Sequence, residues 1–471
     1  MSADVAVVGS GPNGLAAAIT MARAGRRVAV FEAEDTLGGG VRSAELTLPG
    51  FLHDVCSSVH PLVPGSPFFR QLPLGEHGLE MIHPPYPLAH PFDDGSAVLV
   101  SRSLDETAAG LGVDEDAYRK LLRPIVDGWG DLEDALLAPL VAAPKHPVAL
   151  ARFGLRAIRS AAGLARARFE TDRARALLGG CAAHSMVPLE QSPTGAFGVV
   201  LLASAHLFGW PFPRGGAQKI ADAMLSLLAR LGGSAYPGEA VDSVDDLDSE
   251  TVLCDVVPRE LARIAGRRLP ARYAAALRRF PHGPGAFKVD FALDGPIPWK
   301  APECAQAGTV HLGGTLDEIA ESERAPWQGR HAQRPFVLLA QHSRFDETRA
   351  PAGKDTAWTY CHVPNGSAVD MTARIEAQIE RFAPGFRELV LGRSVMGPAV
   401  LESHNRNLVG GDLNAGAATF WRLIARPAPR PVPYRTPAEG VYLCSASTPP
   451  GGGVHGMCGY LAGRAALRDA L

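Results

Sequence analysis

The stretch that decides the fold is Val5–Glu32, which reads VAVVGSGPNGLAAAITMARAGRRVAVFE in the 471-residue chain. The apolar run Val5–Val8 predicts a strand, residues 15–24 predict a helix that stops at Gly25, and Val28–Phe31 predicts a second strand. A strand, a glycine turn, a helix, a second strand and an acid follow one another within about thirty residues. This order predicts a dinucleotide-binding βαβ unit.

Each glycine of the turn has a physical role in such a unit. Gly9 permits the tight turn, Gly11 lets the backbone approach a pyrophosphate, and Gly14 lets helix and strand pack closely. The helix N-terminus presents free N–H groups and the positive end of its dipole to phosphate. Glu32 stands at the end of the second strand, where a carboxylate accepts hydrogen bonds from adenosine ribose hydroxyls.

The rest of the chain predicts helices and further strands outside this unit. The Ala-, Leu- and Arg-rich segment from about Leu104 to Leu178 has a helical pattern. The other segments with a clear pattern are Ala217–Leu231 and Glu376–Phe382 (helices), Ala286–Leu293, Pro335–Gln341, Thr251–Val257 and Val441–Cys444 (strands), and 456–471 (a helix after a Pro/Gly loop).

Composition and charge exclude several classes of protein. Forty-six basic and forty-nine acidic residues give a net charge of -3, so the chain lacks the basic excess of a nucleic-acid binder. No apolar run reaches the ~18 residues of a membrane span, and no signal peptide is visible, which predicts a cytoplasmic enzyme. The seven cysteines form no Cys-x-x-Cys pair and are expected to be free thiols, and no metal-binding motif is present.

Three segments resemble a known family. The opening GSGPNGLAAAITMARAGRRVAVFEAEDTLGGGVRS (9–43) resembles the FAD-binding N-terminus of phytoene desaturase-like and amine oxidase-like flavoproteins. The segment PFPRGGAQKIADAMLSLLARLGG (211–233) looks like that family's GG helix, and GVYLCSASTPPGGGVHGMCGYLAGRAAL (440–467) is similar to its second FAD segment. The closer likeness is to bacterial phytoene dehydrogenase-related proteins, and to those called pyridine nucleotide-disulfide oxidoreductase domain-containing proteins.

The resemblance implies an α/β fold with two domains. A Rossmann-like FAD-binding domain, a parallel sheet with helices, would be built from both chain ends, beside an α+β substrate domain with a mixed sheet and a helical cap. The expected boundaries are 1–65, 206–270 and 401–471 for the FAD-binding domain, 66–205 for the cap, and 271–400 for the sheet of the substrate domain.

The resemblance also implies a set of cofactor-binding residues and two candidates for catalysis. His455, in the loop expected to face the flavin, and His60 are the candidate acid–base groups, although either could be structural instead. Gly40 stands where the family usually has an arginine, which leaves Arg42 to contact phosphate. The residues expected to bind FAD are Gly9, Gly11, Pro12, Asn13, Gly14, Glu32, Ala33, Gly39, Gly40, Arg42, Val241, Ser447, Gly453, Val454 and Met457.

The implied activity is FAD-dependent removal of hydride from a small or medium apolar organic substrate, by a desaturase, dehydrogenase or oxidase. No second glycine fingerprint follows a strand, so oxygen or a quinone is the expected oxidant. Two alternatives stay open. Amine oxidation is disfavoured because Gly453 stands where amine oxidases place an aromatic cage residue, and a non-redox isomerase or cyclase would use the flavin differently.

A basic stripe in residues 145–175 is the candidate for a peripheral contact with a membrane. Residues 145–175 hold eight Lys/Arg and two acids, and the spacing of Arg152, Arg156, Arg159, Arg166 and Arg173 places these arginines on one face of a helix. Such a face either rests on anionic lipid or is solvated. The sequence leaves the substrate and the oligomeric state open.

Overall fold

The computed structural model describes residues 3–140 and 144–470. Its strands are, in chain order, β1 Val5–Val8, β2 Val28–Phe31, β3 Ser43–Glu45, β4 Leu52–Asp54, β5 Met81–Ile82, β6 Tyr86–Pro91, β7 Ala97–Val100, β8 Phe212–Pro213, β9 Ser234–Tyr236, β10 Thr251–Cys254, β11 Gly285–Leu293, β12 Ala307–Leu312, β13 Val337–Ala340, β14 Asp355–Val363, β15 Val390–Met396 and β16 Val441–Leu443.

The helices follow one another between these strands. They are α1 Pro12–Arg23, α2 Leu62–Gly65, α3 Leu104–Ala109, α4 Glu115–Val126, α5 Trp129–Leu136, α6 Pro147–Ala157, α7 Ala161–Arg168, α8 Asp172–Ala183, α9 Thr194–Phe208, α10 Gln218–Arg230, α11 Pro258–Ile264, α12 Ala271–Arg278, α13 Leu316–Trp327, α14 Thr372–Phe382, α15 Pro398–His404, α16 Phe420–Ile424 and α17 Met457–Asp469.

A five-stranded parallel sheet with the order β16-β10-β1-β2-β9 carries the glycine turn. All four residues of β1 are buried, because helices cover both faces of the sheet. Val5 and Val7 pack with α1, α10 and α17, whereas Ala6 and Val8 pack with α11 and α12 on the other face. Segments from the two ends and the middle of the chain build this sheet, as expected.

Close helix packing joins the two ends of the chain. Helix α17 lies against α1, where a Cβ on Gly459 would stand 1.8 Å from the carbonyl oxygen of Asn13. A side chain at this position would push the helices apart. The glycine-rich character of both segments therefore serves contact between them as well as the turns.

A second, seven-stranded sheet has the order β15-β11-β14-β13-β12-β6-β7. Its neighbours are antiparallel except for β12 and β6, which run parallel, so the sheet is mixed. Helices α3–α9 pack beside it around a separate apolar core. The predicted fold class, a Rossmann-like domain plus an α+β domain with a mixed sheet and a helical cap, is confirmed; the exact domain boundaries stay predictions.

The expectation that five arginines share one helix face is wrong. Arg152 lies in α6, Arg166 in α7 and Arg173 in α8, and the three helices are separate. Side-chain oxygens of Ser160 and Thr171 cap the starts of α7 and α8, and these caps interrupt the helical pattern. Any basic surface is therefore assembled from several helices.

Three further findings concern classes of site. The seven cysteines are all free, as predicted. Among the residues that the structure describes, no group of three or more His, Cys, Asp or Glu side chains is arranged to hold a metal ion. No helix in the described ranges is both long enough and apolar enough to cross a bilayer.

Candidate functional site

The glycine turn after β1 is tightly packed at its three glycines. Gly9 has a φ of 98°, and a Cβ on it would lie 2.9 Å from the carbonyl oxygen of Asp255. A Cβ on Gly11 would lie 2.7 Å from Oδ2 of Asp255, and one on Gly14 only 2.0 Å from the carbonyl oxygen of Gly9. The turn therefore needs glycine at positions 9 and 14, where a side chain would meet backbone, whereas a side chain at position 11 would displace the carboxylate of Asp255. Gly11 forms the N-cap of α1.

Glu32 is held at the end of β2 by the turn itself. Its Oε2 accepts hydrogen bonds from the N–H (2.9 Å) and the hydroxyl (2.7 Å) of Ser10, and Oε1 accepts one from the N–H of Glu34 (3.1 Å). The fixed carboxylate keeps further lone pairs for a ligand hydroxyl. The contact of Glu32 with ribose hydroxyls stays a prediction.

The sequence analysis missed Asp255. It follows β10, the strand beside β1, so the carboxyl ends of two parallel strands bring it under the glycine turn. Its Oδ2 accepts a hydrogen bond from the N–H of Gly14 at 2.8 Å. Burial, with a smaller contribution from the charge of Glu32, raises the pKa of Asp255 to about 7. An acid directly after an apolar strand was the signal that could have revealed it.

A cavity of about 200 Å³ opens above this turn and is called the glycine-loop cavity below. Its walls include both carboxylates, Glu32 and Asp255. Oδ1 of Asn13 is buried and has no hydrogen-bond partner in the described part of the chain, so it is free to accept from a ligand. The predicted cofactor-binding residues that line this cavity are Gly9, Gly11, Pro12, Asn13, Glu32, Ala33, Gly39, Gly40, Arg42 and Val241.

Arg42 brings a buried cation to the glycine-loop cavity. Its Nε donates to the carbonyl of Gly39 at 3.0 Å, and one terminal nitrogen donates to the carbonyl of His404 at 2.7 Å. The other terminal nitrogen lies 3.9 Å from a carboxylate oxygen of Glu34. The guanidinium is thus held by main-chain carbonyls beside Gly40, where a Cβ would meet no atom within 4 Å.

A second cavity, of about 640 Å³, is called the apolar cavity. Leucine, isoleucine, valine, phenylalanine, tryptophan, alanine and proline make up most of its wall. Among the described residues of that wall there is no Asp, Glu, Lys or Arg. The polar side chains on it belong to Ser57, His60, His184, Thr309, Asn414 and His455.

Two loops border both cavities. In the first loop, Leu413 and Ala415 line the glycine-loop cavity and Asn414 lines the apolar cavity. In the second, Ser445 and Ala446 line the former, whereas 449–450 and 452–455 line the latter. The two cavities are therefore neighbours, and one extended ligand could occupy both.

Some of the C-terminal residues that were expected to bind FAD line the apolar cavity, and others do not. Gly453 and Val454 line the cavity. The hydroxyl of Ser447 donates to the carbonyl of Ala415 instead, and Ser447 lies in neither wall. Gly14 and Met457 are also absent from both walls. The N–H of Gly14 donates to Asp255, and that of Met457 donates to His455.

His455 lies in the cavity wall, but both of its ring nitrogens are used by the backbone. Nδ1 accepts from the N–H of Met457 at 3.0 Å, so the proton is on Nε2, which lies 3.1 Å from the carbonyl oxygen of Gly451. Burial lowers the pKa of His455 to about 4. The geometry leaves no free lone pair and argues against the predicted proton transfer; it supports a role in shaping the loop.

His60 is the freer of the two candidate histidines. Its Nδ1 lies 3.5 Å from the hydroxyl of Ser57, and its Nε2 is buried without a partner in the described chain. Burial lowers the pKa of His60 to about 4, partly opposed by the charge of Asp54. His60 is therefore neutral at physiological pH, and its catalytic role stays a prediction.

The region around the glycine turn is similar to known nucleotide-binding proteins. The sequence profile of the NAD(P)-binding Rossmann-like domain matches residues 7–72, which contain the glycine turn and Glu32. The chain is 27% identical to pyridine nucleotide-disulfide oxidoreductase domain-containing protein 2 of Rattus norvegicus, over 99% of this chain and 93% of the relative. The resemblance found in the sequence is confirmed.

Two further proteins extend this result. Phytoene dehydrogenase of Streptomyces griseus is 27% identical, over 77% of this chain and 73% of that protein. A putrescine oxidase solved with putrescine bound superposes with a TM-score of 0.62 at 18% identity, over 100% of this chain and 99% of that one. The phytoene desaturase-like oxidoreductases are thus similar to this chain in sequence, and the amine oxidase in fold.

Proposed function

We propose that this protein is an FAD-dependent oxidoreductase that removes hydride from a neutral, apolar organic substrate, as a desaturase, dehydrogenase or oxidase. The observation that carries the proposal is the pairing of the two cavities: a dinucleotide site built on Glu32 and the glycine turn adjoins a large, uncharged cavity. Oxygen or a quinone is the proposed oxidant, because no second glycine fingerprint directly follows a strand: the other G-x-G-x-x-G match, at 451–456, begins eight residues after the end of β16.

The residues present fit FAD. The glycine-loop cavity offers Glu32 for ribose hydroxyls, the turn from Gly9 to Gly11 for close backbone approach, and Arg42 for phosphate. Gly453 and Val454 line the adjoining cavity, where a flavin ring would lie at the far end of the same cofactor. When bound, FAD supplies the hydride acceptor, and the chain binds, orients and shields the reacting groups.

The uncharged wall favours a neutral substrate over an amine. Burying an ammonium group without a paired carboxylate is costly, and the described wall of the apolar cavity offers none. Gly453 also lacks the ring that an aromatic cage would need. Amine oxidation is therefore the weaker alternative, even though a putrescine oxidase shares the fold.

Anaerobic titration tests this function. The purified protein is expected to be yellow, to release one FAD per chain on denaturation, and to lose its flavin absorbance stoichiometrically with one member of a panel of neutral apolar compounds. Incubating the protein with a cell extract, and finding which metabolite loses two hydrogens, would identify the substrate. A colourless protein, or a yellow one that turns a compound over while its flavin stays oxidised throughout, would contradict the proposal in favour of a non-redox function.

We also propose that the mouth of the apolar cavity contacts an anionic membrane surface. Leu140 and Ile158 line the cavity while remaining 46% and 47% exposed. On α6 and α16, other residues of which line the cavity, large apolar side chains are exposed: Val148 is 62% exposed, Leu155 81% and Trp421 74%. Such a cluster at the mouth of an apolar cavity is typical of an interaction surface.

Charge favours lipid as the occupant of this surface, which is called the apolar rim below (Leu140, Val148, Leu155, Ile158 and Trp421). Helix α6 contains no acid, and Arg152 lies between Val148 and Leu155 at helical spacing. Arg159 follows the helix and is also exposed. Apolar and basic groups on one surface suit the interface of an anionic bilayer, from which an apolar substrate could enter the cavity directly.

A further inference from the structure

A hydrogen-bonded pair of histidines, with a third histidine close by, reaches the wall of the apolar cavity. His184, which follows α8, lines the cavity, and its Nε2 lies 3.1 Å from Nε2 of His311 on β12. Its ring packs edge-on against Trp210, with centroids 5.6 Å apart. Nδ1 of His184 has no hydrogen-bond partner in the described chain, so it is the ring nitrogen left for a ligand.

The proton positions on these rings follow from His90. Nε2 of His90 lies 2.8 Å from the carbonyl oxygen of Gly314 and must donate to it, which leaves Nδ1 of His90 as a bare lone pair. Nδ1 of His311 and Nδ1 of His90 both lie near Gly180. A Cβ built on this glycine would stand 2.8 Å from Nδ1 of His311 and 3.5 Å from Nδ1 of His90. Neither Nδ1 atom has a hydrogen-bond partner in the described chain, so no bond joins the rings of His311 and His90. A proton on Nδ1 of His311 is favoured electrostatically, because the other tautomer would set two lone pairs against each other.

This assignment determines the state of His184. With its proton on Nδ1, His311 uses Nε2 as an acceptor, so the bond between the two rings requires the proton of His184 to be on Nε2. Nδ1 of His184 is then a hydrogen-bond acceptor at the cavity wall. His311 and His90 act as positioning residues that hold this tautomer.

The three rings are neutral at physiological pH. Burial lowers the pKa of His184 to about 3, with a smaller contribution from His362, and it lowers the pKa of His90 to about 4. Burial also lowers the pKa of His311 well below its usual value. A neutral acceptor attracts no carboxylate, and the wall holds no described acid to bind an ammonium group.

We propose that Nδ1 of His184 accepts a hydrogen bond from a hydroxyl group of an otherwise apolar substrate, so that the substrate class is a neutral alcohol. His184 is then the specificity-determining residue of the cavity. Calling the ligand a substrate rests on the proposed function, but its binding does not. A binding experiment therefore separates the failure of one from the failure of the other.

The test uses two isomers of equal size, 1-octanol and 1-methoxyheptane, of which only the alcohol donates a hydrogen bond. Isothermal titration calorimetry on the holoprotein is expected to show the alcohol binding roughly 3–10-fold more tightly, the worth of one neutral hydrogen bond. In His184→Leu this ratio should fall to about one while the affinity for the ether is retained.

Two further variants keep the test decisive. Thr309→Val removes another polar group from the same wall and is expected to keep the preference for the alcohol. His311→Phe leaves His184 in place but removes the partner that holds its proton on Nε2, and should reduce the preference. Circular dichroism melting curves establish that each variant is folded.

Three results would overturn the inference. These are an unchanged ratio in His184→Leu, a ratio near one in the wild type, or tighter binding of octanoate or octylammonium than of 1-octanol. A ratio that depends on His184 in a protein whose flavin is never reduced would keep this inference and reject the proposed function.

Discussion

The carboxylate of Asp255 accepts a hydrogen bond from the main-chain N–H of Gly14, with an Oδ2···N distance of 2.8 Å. An acid at the end of β10 thereby holds the first turn of α1, which is also the place where a helix N-terminus would attract phosphate. Glu32 lines the same cavity, so two carboxylates flank the proposed cofactor site. The charge state of Asp255 therefore bears on both folding and cofactor binding.

Replacing Asp255 by Asn is expected to change how stability depends on pH. Because the pKa of Asp255 is about 7 in the folded protein and about 3.8 when unfolded, the wild type loses stability as pH rises through this window. Asp255→Asn should be more stable than the wild type at pH 8, by about 1–3 kcal/mol, and should lose this advantage below about pH 4. Urea unfolding of both proteins from pH 4 to 8.5 measures this difference in stability. If the two curves of stability against pH were parallel, Asp255 would be ionised throughout this range and the prediction would be wrong.

Replacing Glu32 by Ala is expected to give protein that is largely free of FAD. The change removes a charge-assisted hydrogen bond worth about 1.5–3 kcal/mol to the proposed ribose contact. The ratio of flavin to protein absorbance after gel filtration is the measurement. Glu34→Ala, which removes a neighbouring carboxylate of the same cavity, is the control and should retain its flavin. Full flavin content in Glu32→Ala would contradict the assignment.

Replacing His455 by Ala is expected to cost stability rather than to abolish proton transfer. The change leaves the N–H of Met457 and the carbonyl of Gly451 without their buried partner, at a cost of about 1–3 kcal/mol. Thermal unfolding should show a melting temperature several degrees lower. Once a substrate is known, flavin reduction in His455→Gln should stay within about tenfold of the wild type. A 10²–10⁴-fold loss, the usual effect of removing an acid–base group, would restore His455 as a catalytic residue.

The apolar rim is expected to bind vesicles that contain anionic lipid. Co-sedimentation should weaken at high salt, because screening shortens the range of the arginine charges to ~8 Å at physiological ionic strength and further above it. Leu155→Glu and Trp421→Glu should each reduce binding roughly tenfold, since each places a charge where an apolar group would be buried.

The control for the rim is Val113→Glu, at an apolar residue that is 73% exposed outside the rim and should bind vesicles like the wild type. Equal recovery in the supernatant with neutral and anionic vesicles would reject the membrane contact. Self-association in sedimentation velocity that the two rim substitutions abolish would assign the surface to a second copy of the chain.

Local patterns predicted the glycine turn well, because its constraints act within about thirty residues. The predicted strand Val28–Phe31 has the same bounds in the structure, and Glu32 follows it directly and accepts a hydrogen bond from the N–H of Ser10. The prediction of an arginine stripe was wrong for a local reason as well, because Ser160 and Thr171 are N-caps that start new helices and interrupt the spacing.

Contacts between distant segments could not be predicted in this way. His184 and His311 are separated by 127 positions. No periodicity in the sequence links the end of a helix to a strand so far along the chain. The same holds for the pairing of Asp255 with Gly14, which requires knowing that β10 lies beside β1. The pairing of His184 with His311 therefore emerged only from the tertiary structure, whereas His60 and His455 of the same cavity wall were predicted from the sequence.

The strand order of the parallel sheet has a consequence for how the chain is made. Strand β2 ends at Phe31, but β16 begins at Val441, so a ribosome needs roughly 20–80 s to supply the missing edge of the sheet. During this time the apolar face of α1 that later meets α17 has no cover. A nascent chain in this state presents an apolar surface that aggregates readily, and chaperone capture during translation is the expected fate of the first βαβ unit until the C-terminal segment arrives.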